Sequence, residues 1–191
     1  KGAMSDEALA AHFAAIAEAS PVPVLIYQVP LRLSTLEFST GLIGKLSEHP
    51  NIVGIKDSRG QLDLALELVS ATSSDFQVMV GSGAILAPAM QGGCTGGIVA
   101  VGLMAPAEAA AIASACLEGR EDYAAELQAR IAPVHQKIVG GMGVPGVKAA
   151  LDMLGYSGGA PRPPLHSPSD DRIEVIRGIL DEADLLSLAS V

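Results

Sequence analysis

The chain has 191 residues, 49% of them hydrophobic and 17% charged, a composition that buries a core and excludes a mainly disordered tail. With 12 Lys+Arg against 21 Asp+Glu the net charge is −9, which argues against a protein that tracks nucleic-acid phosphates and leaves small-molecule chemistry or protein contacts. Cys94 and Cys116 are too few for a disulfide scaffold and form no C-x-x-C, which points to a reducing, cytoplasmic setting, and no apolar run reaches the roughly 18 residues of a membrane span.

Ser5-Asp6-Glu7 reads as a helix start, with acids in the first turn and Leu9, Phe13 and Ile16 at helical spacing behind them. Pro21 and Pro23 end that helix, and the apolar run Val24 to Val29 reads as a strand closed by Pro30. The cycle then repeats. A helix with Leu42, Ile43 and Leu46 inward leads to the strand Ile52 to Ile55. Leu62 to Ser70 leads to Phe76 to Val80, and a short helix with Ile85, Leu86 and Met90 leads to Gly96 to Val101. Near-continuous apolar strands alternating with helices belong to a parallel sheet in an α/β fold. Beyond Val101 only helices are predicted: Pro106 to Glu118, Glu121 to Val139, Pro145 to Leu154 and Ser169 to Leu180, with Gly158 to Leu165 as the longest break. Pro145 suits a first helical turn, where no amide hydrogen is needed. Two architectures compete, an open doubly wound sheet and part of a (β/α)₈ barrel, which typically takes about 250 residues. The opening helix has no strand before it, so the sheet is expected to begin upstream.

In a parallel sheet the chemistry gathers where strands end. The candidates there are Tyr27, Lys56, Ser82 and the backbone around Ile98. Gly54 and Lys56 share one face of their strand, Ile55 and Asp57 the other. If Lys56 points into a barrel interior its ammonium is largely desolvated, which favours the neutral amine, a nucleophile toward ketones. A lysine that ends a strand before Asp57-Ser58 also reads as a solvated turn. Tyr27, one strand earlier, suits a proton shuttle, or else a core tyrosine with its hydroxyl bonded to backbone. Arg32 suits a bidentate carboxylate contact, or plain surface. Gly81-Ser82-Gly83 precedes a helix and offers amides and a hydroxyl to a carboxylate, although a βα turn often needs glycine anyway. The four histidines and two thiols show no metal-ligand spacing.

The segments "PVPVLIYQVP", "HPNIVGIKDSRG", "DFQVMVGSG" and "GGIVAV" resemble, in order and spacing, the dihydrodipicolinate synthase and N-acetylneuraminate lyase superfamily of pyruvate-Schiff-base enzymes. The resemblance runs along essentially the whole chain. It implies a (β/α)₈ barrel, here the second half (strands five to eight, residues 1–118), followed by a helical extension (119–191). It further implies Lys56 as the imine-forming lysine, Tyr27 as the proton relay and Arg32 as a binder of the substrate carboxylate. Gly81 and Ser82 would hold the keto acid's carboxylate, and the Ile98 carbonyl would face that acid. No cofactor or metal is implied, and the partners are a keto acid (pyruvate or a 4-hydroxy-2-oxo acid), an aldehyde and further copies of the chain in a homo-oligomer, commonly a tetramer.

Within the superfamily the C-terminal segment "GVPGVKAALDMLGYSGGAPRPPL" looks closer to 4-hydroxy-2-oxoglutarate aldolases, so cleavage of a 4-hydroxy-2-oxo acid is the first expectation. Arg32 instead favours the synthase branch, which condenses pyruvate with aspartate semialdehyde. Gln28, Leu31 and Gly102 to Met104 depart from the usual synthase pattern and bear on substrate identity rather than on imine formation. Superfamily members carry four further strands and a paired-hydroxyl motif ahead of this point. The chain is therefore expected to be an inactive or poorly folded fragment, and a non-catalytic, keto-acid-binding or oligomer-forming piece is the alternative from outside enzymology.

Overall fold

Residues 4–34 and 36–186 are described by a computed structural model, in which the contacts gather into two compact units, Lys1–Ile98 and Val99–Val191. The extreme ends of both expected domains lie outside the described residues. In the first unit α1 (Asp6–Ala19) begins where the Ser5 hydroxyl accepts the Ala8 amide at 3.3 Å. α2 (Thr40–Leu46) is capped in the same way by Ser39, which also donates to Asp6 Oδ2 at 2.6 Å and so ties the two helix starts together. α3 (Leu62–Ala71) and the short α4 (Leu86–Gln91) complete a row in which each helix packs on the next.

Four strands, β1 (Val24–Gln28), β2 (Ile52–Asp57), β3 (Gln77–Val80) and β4 (Gly96–Gly97), form one parallel sheet in sequence order. Their two faces differ. Ile26, Ile55, Val78 and Val80 are buried with Leu42, Ile43 and Leu68 of the helices, whereas Leu25 and Tyr27 on the opposite face are 44% and 45% exposed. The apolar helix stripes therefore cover one face only. Asn51 fixes the entry to β2: its amide donates to the carbonyls of Ala17 and Ser20 at 2.8 and 3.0 Å, closing the α1–β1 turn.

The last strand is shorter than Gly96 to Val101. Ile98 still donates its amide to Val80 O at 2.9 Å, but Ala100–Leu103 coils into a 3-10 turn. A short apolar run satisfies a buried turn as well as a strand, and periodicity cannot separate the two.

The second unit is helical: α5 (Pro106–Leu117), α6 (Glu121–Val134), a π-helical stretch His135–Gly140, α7 (Gly141–Met153) and α8 (Asp170–Glu182). Ile112, Ile131, Ile138, Ile176 and Leu180 form its core. α5 packs along α6, which is why the division falls at Ile98 rather than after residue 118. The helix predicted from Glu121 to Val139 runs on without a break into the start of α7, but it widens after Pro133, whose missing amide already breaks the ladder. Gly143 (φ 63, ψ −150) then kinks the chain, so Pro145 stands in the first turn of a resumed helix, as expected. No described helix is long and apolar enough to cross a membrane.

Candidate active site

Strand register brings the two principal candidates together. Tyr27 lies opposite Lys56 across β1 and β2, and Lys56 lies opposite Met79 across β2 and β3. Parallel neighbours in register present their side chains to the same face. Lys56 Nζ accordingly sits 4.5 Å from the centroid of the Tyr27 ring, within cation–π range. Gly54, one step back on that face, is buried and has no room for a side chain: a Cβ there would overlap the Gln77 backbone oxygen and crowd Leu25.

Lys56 is half-buried, not largely desolvated as expected from a closed interior. The reason is the open face: Leu25 and Tyr27 beside it stand exposed among the described residues.

On the other face the end of β2 is tightly held. The Asp57 carboxylate, 2% exposed, accepts from Arg59 Nε at 3.0 and 3.1 Å and from Nη2 at 2.8 Å, and also from the Arg59 amide at 2.9 Å. Arg59 Nη1 reaches Glu37 in the β1–α2 loop at 3.3 Å. Burial alone would lower the guanidinium's pKa, but the bonds to Asp57 and then Glu37 outweigh it and raise it, so the cation is secure. Burial, with a smaller contribution from Asp57, pushes the nearby Cys94 thiol up to about 11, which makes it inert rather than nucleophilic.

The loop after β1 is stapled by Gln28. Its buried amide nitrogen donates to Val29 O and Leu36 O, both at 3.0 Å, and its Oε1 accepts the Phe38 amide at 2.8 Å. Between these anchors the chain turns at Pro30, with Leu33 and Ser34 donating back to its carbonyl, and Arg32 stands exposed on that turn. Neither Arg59 nor Glu37 stood out in the sequence. The readable signal was an acid and a base two residues apart at a strand end, Asp57 and Arg59.

Gly81 follows β3, donates its amide to Asp57 O at 2.7 Å and packs so closely on Ser58 that an added Cβ would overlap the hydroxyl. Ser82 is buried at the start of a single 3-10 turn, Gly83–Ile85, before six residues of α4, so no long helix dipole stands behind it. Ile98, 47% exposed, closes the row of strand ends through its bond to Val80. The geometry thus pairs Lys56 with Tyr27 and brings the Gly81 backbone to that of Asp57, while Arg32 stands apart on its turn.

The sequence model of the Dihydrodipicolinate synthetase family matches residues 2–183. The chain belongs to that family. A 4-hydroxy-tetrahydrodipicolinate synthase of Zymomonas mobilis subsp. mobilis is 35% identical to this family member over 184 residues, 95% of this chain and 62% of the relative. One from an Exiguobacterium species is 34% identical over 157 residues, 82% of this chain and 53% of its own length. Among solved structures, the chloride-inhibited dihydrodipicolinate synthase of Acinetobacter baumannii complexed with pyruvate superposes with TM-score 0.89 at 29% identity, over 96% of this chain and 62% of that one. The enzyme of Thermotoga maritima gives 0.87 at 26% identity, over 96% and 63%. The dihydrodipicolinate synthase fold, of TIM-barrel type, is therefore the fold of this chain, which spans about half to three-fifths of the length of such relatives. The curated relatives carry the synthase name, the second of the two reactions left open by the sequence, rather than that of the cleavage placed first.

Proposed function

We propose that the protein is a Schiff-base-forming synthase that condenses pyruvate with an aldehyde, aspartate semialdehyde in the reading its relatives' names favour. The observation behind this is the Lys56–Tyr27 pair at the ends of adjacent parallel strands in a member of this family. The neutral Lys56 amine adds to the pyruvate C2 carbonyl, and the carbinolamine loses water to give an imine. Loss of a C3 proton converts the imine to an enamine, whose carbon attacks the aldehyde carbon while the aldehyde oxygen takes up a proton. Water or an internal amine then displaces Lys56 from C2, returning the free lysine. Tyr27 gives and receives the protons of carbinolamine formation and breakdown. Gly81, Ser82 and the Ile98 carbonyl hold the keto acid, and Arg32 takes the carboxylate of the aldehyde.

In this reading β1–β4 are strands five to eight of a (β/α)₈ barrel, and the exposed face bearing Leu25 and Tyr27 is its interior. Association into a homo-oligomer is part of the same reading and rests on the family resemblance. Cleavage of a 4-hydroxy-2-oxo acid uses the same imine, and the C-terminal segment "GVPGVKAALDMLGYSGGAPRPPL" favours it.

The test is borohydride reduction with pyruvate followed by peptide mass mapping, on protein from the complete reading frame that carries this chain. A reduced pyruvoyl adduct on Lys56 together with consumption of aspartate semialdehyde is the expected result. Release of pyruvate from a 4-hydroxy-2-oxo acid, without semialdehyde consumption, selects the cleavage reading. A folded protein that yields no adduct overturns both.

A further inference from the structure

Two anchors hold the turn that carries Arg32, and one of them starts from the strand that carries Lys56. Gln28 grips the turn from below through Leu36 O and the Phe38 amide. Arg59 grips it from the side: its guanidinium is saturated by Asp57 through Nε and Nη2, and its remaining corner reaches Glu37. With a side chain only 4% exposed, Arg59 has no free face to offer a substrate, whereas Glu37 is 49% exposed. Such a cation, fixed by a bidentate pair to a buried carboxylate, acts as a rigid arm and not as a ligand-binding group.

We propose that Gln28 and the Asp57–Arg59–Glu37 chain form a positioning clasp that sets where Arg32 stands relative to Lys56, and so governs the affinity for a carboxylate-bearing aldehyde without taking part in imine formation. The inference rests on the function proposed above and adds specificity-positioning residues to it. The reasoning is geometric. Arg32 is on an exposed turn and makes no ion pair among the described residues, so its own contacts do not hold it. Its placement depends on the two ends of the loop, and both ends are tied to strands of the site: Gln28 ends β1, and Asp57, the residue after Lys56, ends β2. A small loosening at either anchor moves a cation meant to meet a carboxylate, and bidentate recognition tolerates little displacement.

The decisive variant is Glu37→Gln, since it leaves the buried Asp57–Arg59 pair intact and keeps the fold. Pyruvate trapping at Lys56 is expected to match the parent protein. KM for aspartate semialdehyde should rise about two- to fivefold, the factor carried by an ion pair with one exposed partner, while turnover of propanal, which has no carboxylate, stays the same. Hydrogen exchange at the Phe38 amide should quicken. Gln28→Leu removes the acceptor of that amide and should raise the same KM more steeply, by about tenfold. A semialdehyde KM and Phe38 exchange unchanged in Glu37→Gln would overturn the clasp, as would an equal loss with both aldehydes. If the parent traps no pyruvate, the function proposed above fails separately, and Phe38 exchange decides the clasp: faster exchange in Glu37→Gln sustains it, unchanged exchange overturns it.

Discussion

Lys56 and Tyr27 face each other across two parallel strands, with the ammonium nitrogen 4.5 Å from the centre of the phenol ring. In the function proposed above, this pairing places the nucleophile and the proton carrier side by side on an open sheet face. It also gives the ring a second role, since a cation over an aromatic face gains roughly 0.5–1 kcal/mol at an exposed site. The two roles separate by substitution. Tyr27→Phe keeps the ring beneath Nζ but removes the hydroxyl, so stability should hold while imine formation slows by about 10²-fold or more, as loss of a general acid–base group does. Lys56→Met should abolish borohydride trapping and change the unfolding midpoint little. Stopped-flow trapping and urea melts together check both.

Gly81 is required by close packing. A Cβ at this position overlaps the Ser58 hydroxyl, so Gly81→Ala should destabilise the first unit by about 1–3 kcal/mol, the usual cost of overpacking. Ser58→Gly in the same chain removes the obstruction and should recover much of the loss. Urea denaturation of the single and double variants measures the coupling.

Cys94 makes stability fall at alkaline pH. Its folded thiol titrates at about 11, above the ordinary 9.0, because burial disfavours the thiolate. Below the unfolded value both states hold the proton and the contribution is complete. Between the two values the unfolded chain releases its proton while the folded one retains it, so stability declines as pH rises, by at most about 2–3 kcal/mol near pH 11. The difference in urea midpoint between the parent and Cys94→Ala, followed from about pH 8 to pH 11, isolates this slope from other titrations. In the native protein Cys94, 4% exposed, should resist iodoacetamide that modifies it after unfolding.

Arg130 ties α6 to the end of α8. Its Nε and Nη2 donate to the Ala183 carbonyl at 3.3 and 3.1 Å, and Nη2 also meets the buried Glu108 at 3.4 Å. Arg130→Met leaves a carbonyl and a buried carboxylate without this partner and should cost about 1–3 kcal/mol. The effect should be confined to the helical unit, with exchange at the α8 amides quickening first.

The sequence alone established the β/α alternation, because apolar runs with glycine and proline breaks carry their own period. Ser5, Pro145 and the starts of β1, β2 and β4 fell where capping and propensity put them, and β3 starts one residue late, at Gln77. It also singled out Lys56 and Tyr27, since a lysine ending an apolar strand is locally inconsistent. Three things needed tertiary structure. That Tyr27 and Lys56 meet depends on strand register, a property of two segments at once. That Arg59 serves as an arm to Glu37 depends on a loop 22 residues away in sequence, beyond any local pattern. That Gly96 to Val101 pairs only at its start, and that Lys56 stays half-buried, depend on which neighbours cover each face. Periodicity reports the face a residue prefers. Burial is decided by what packs against that face, and only the folded chain contains that information.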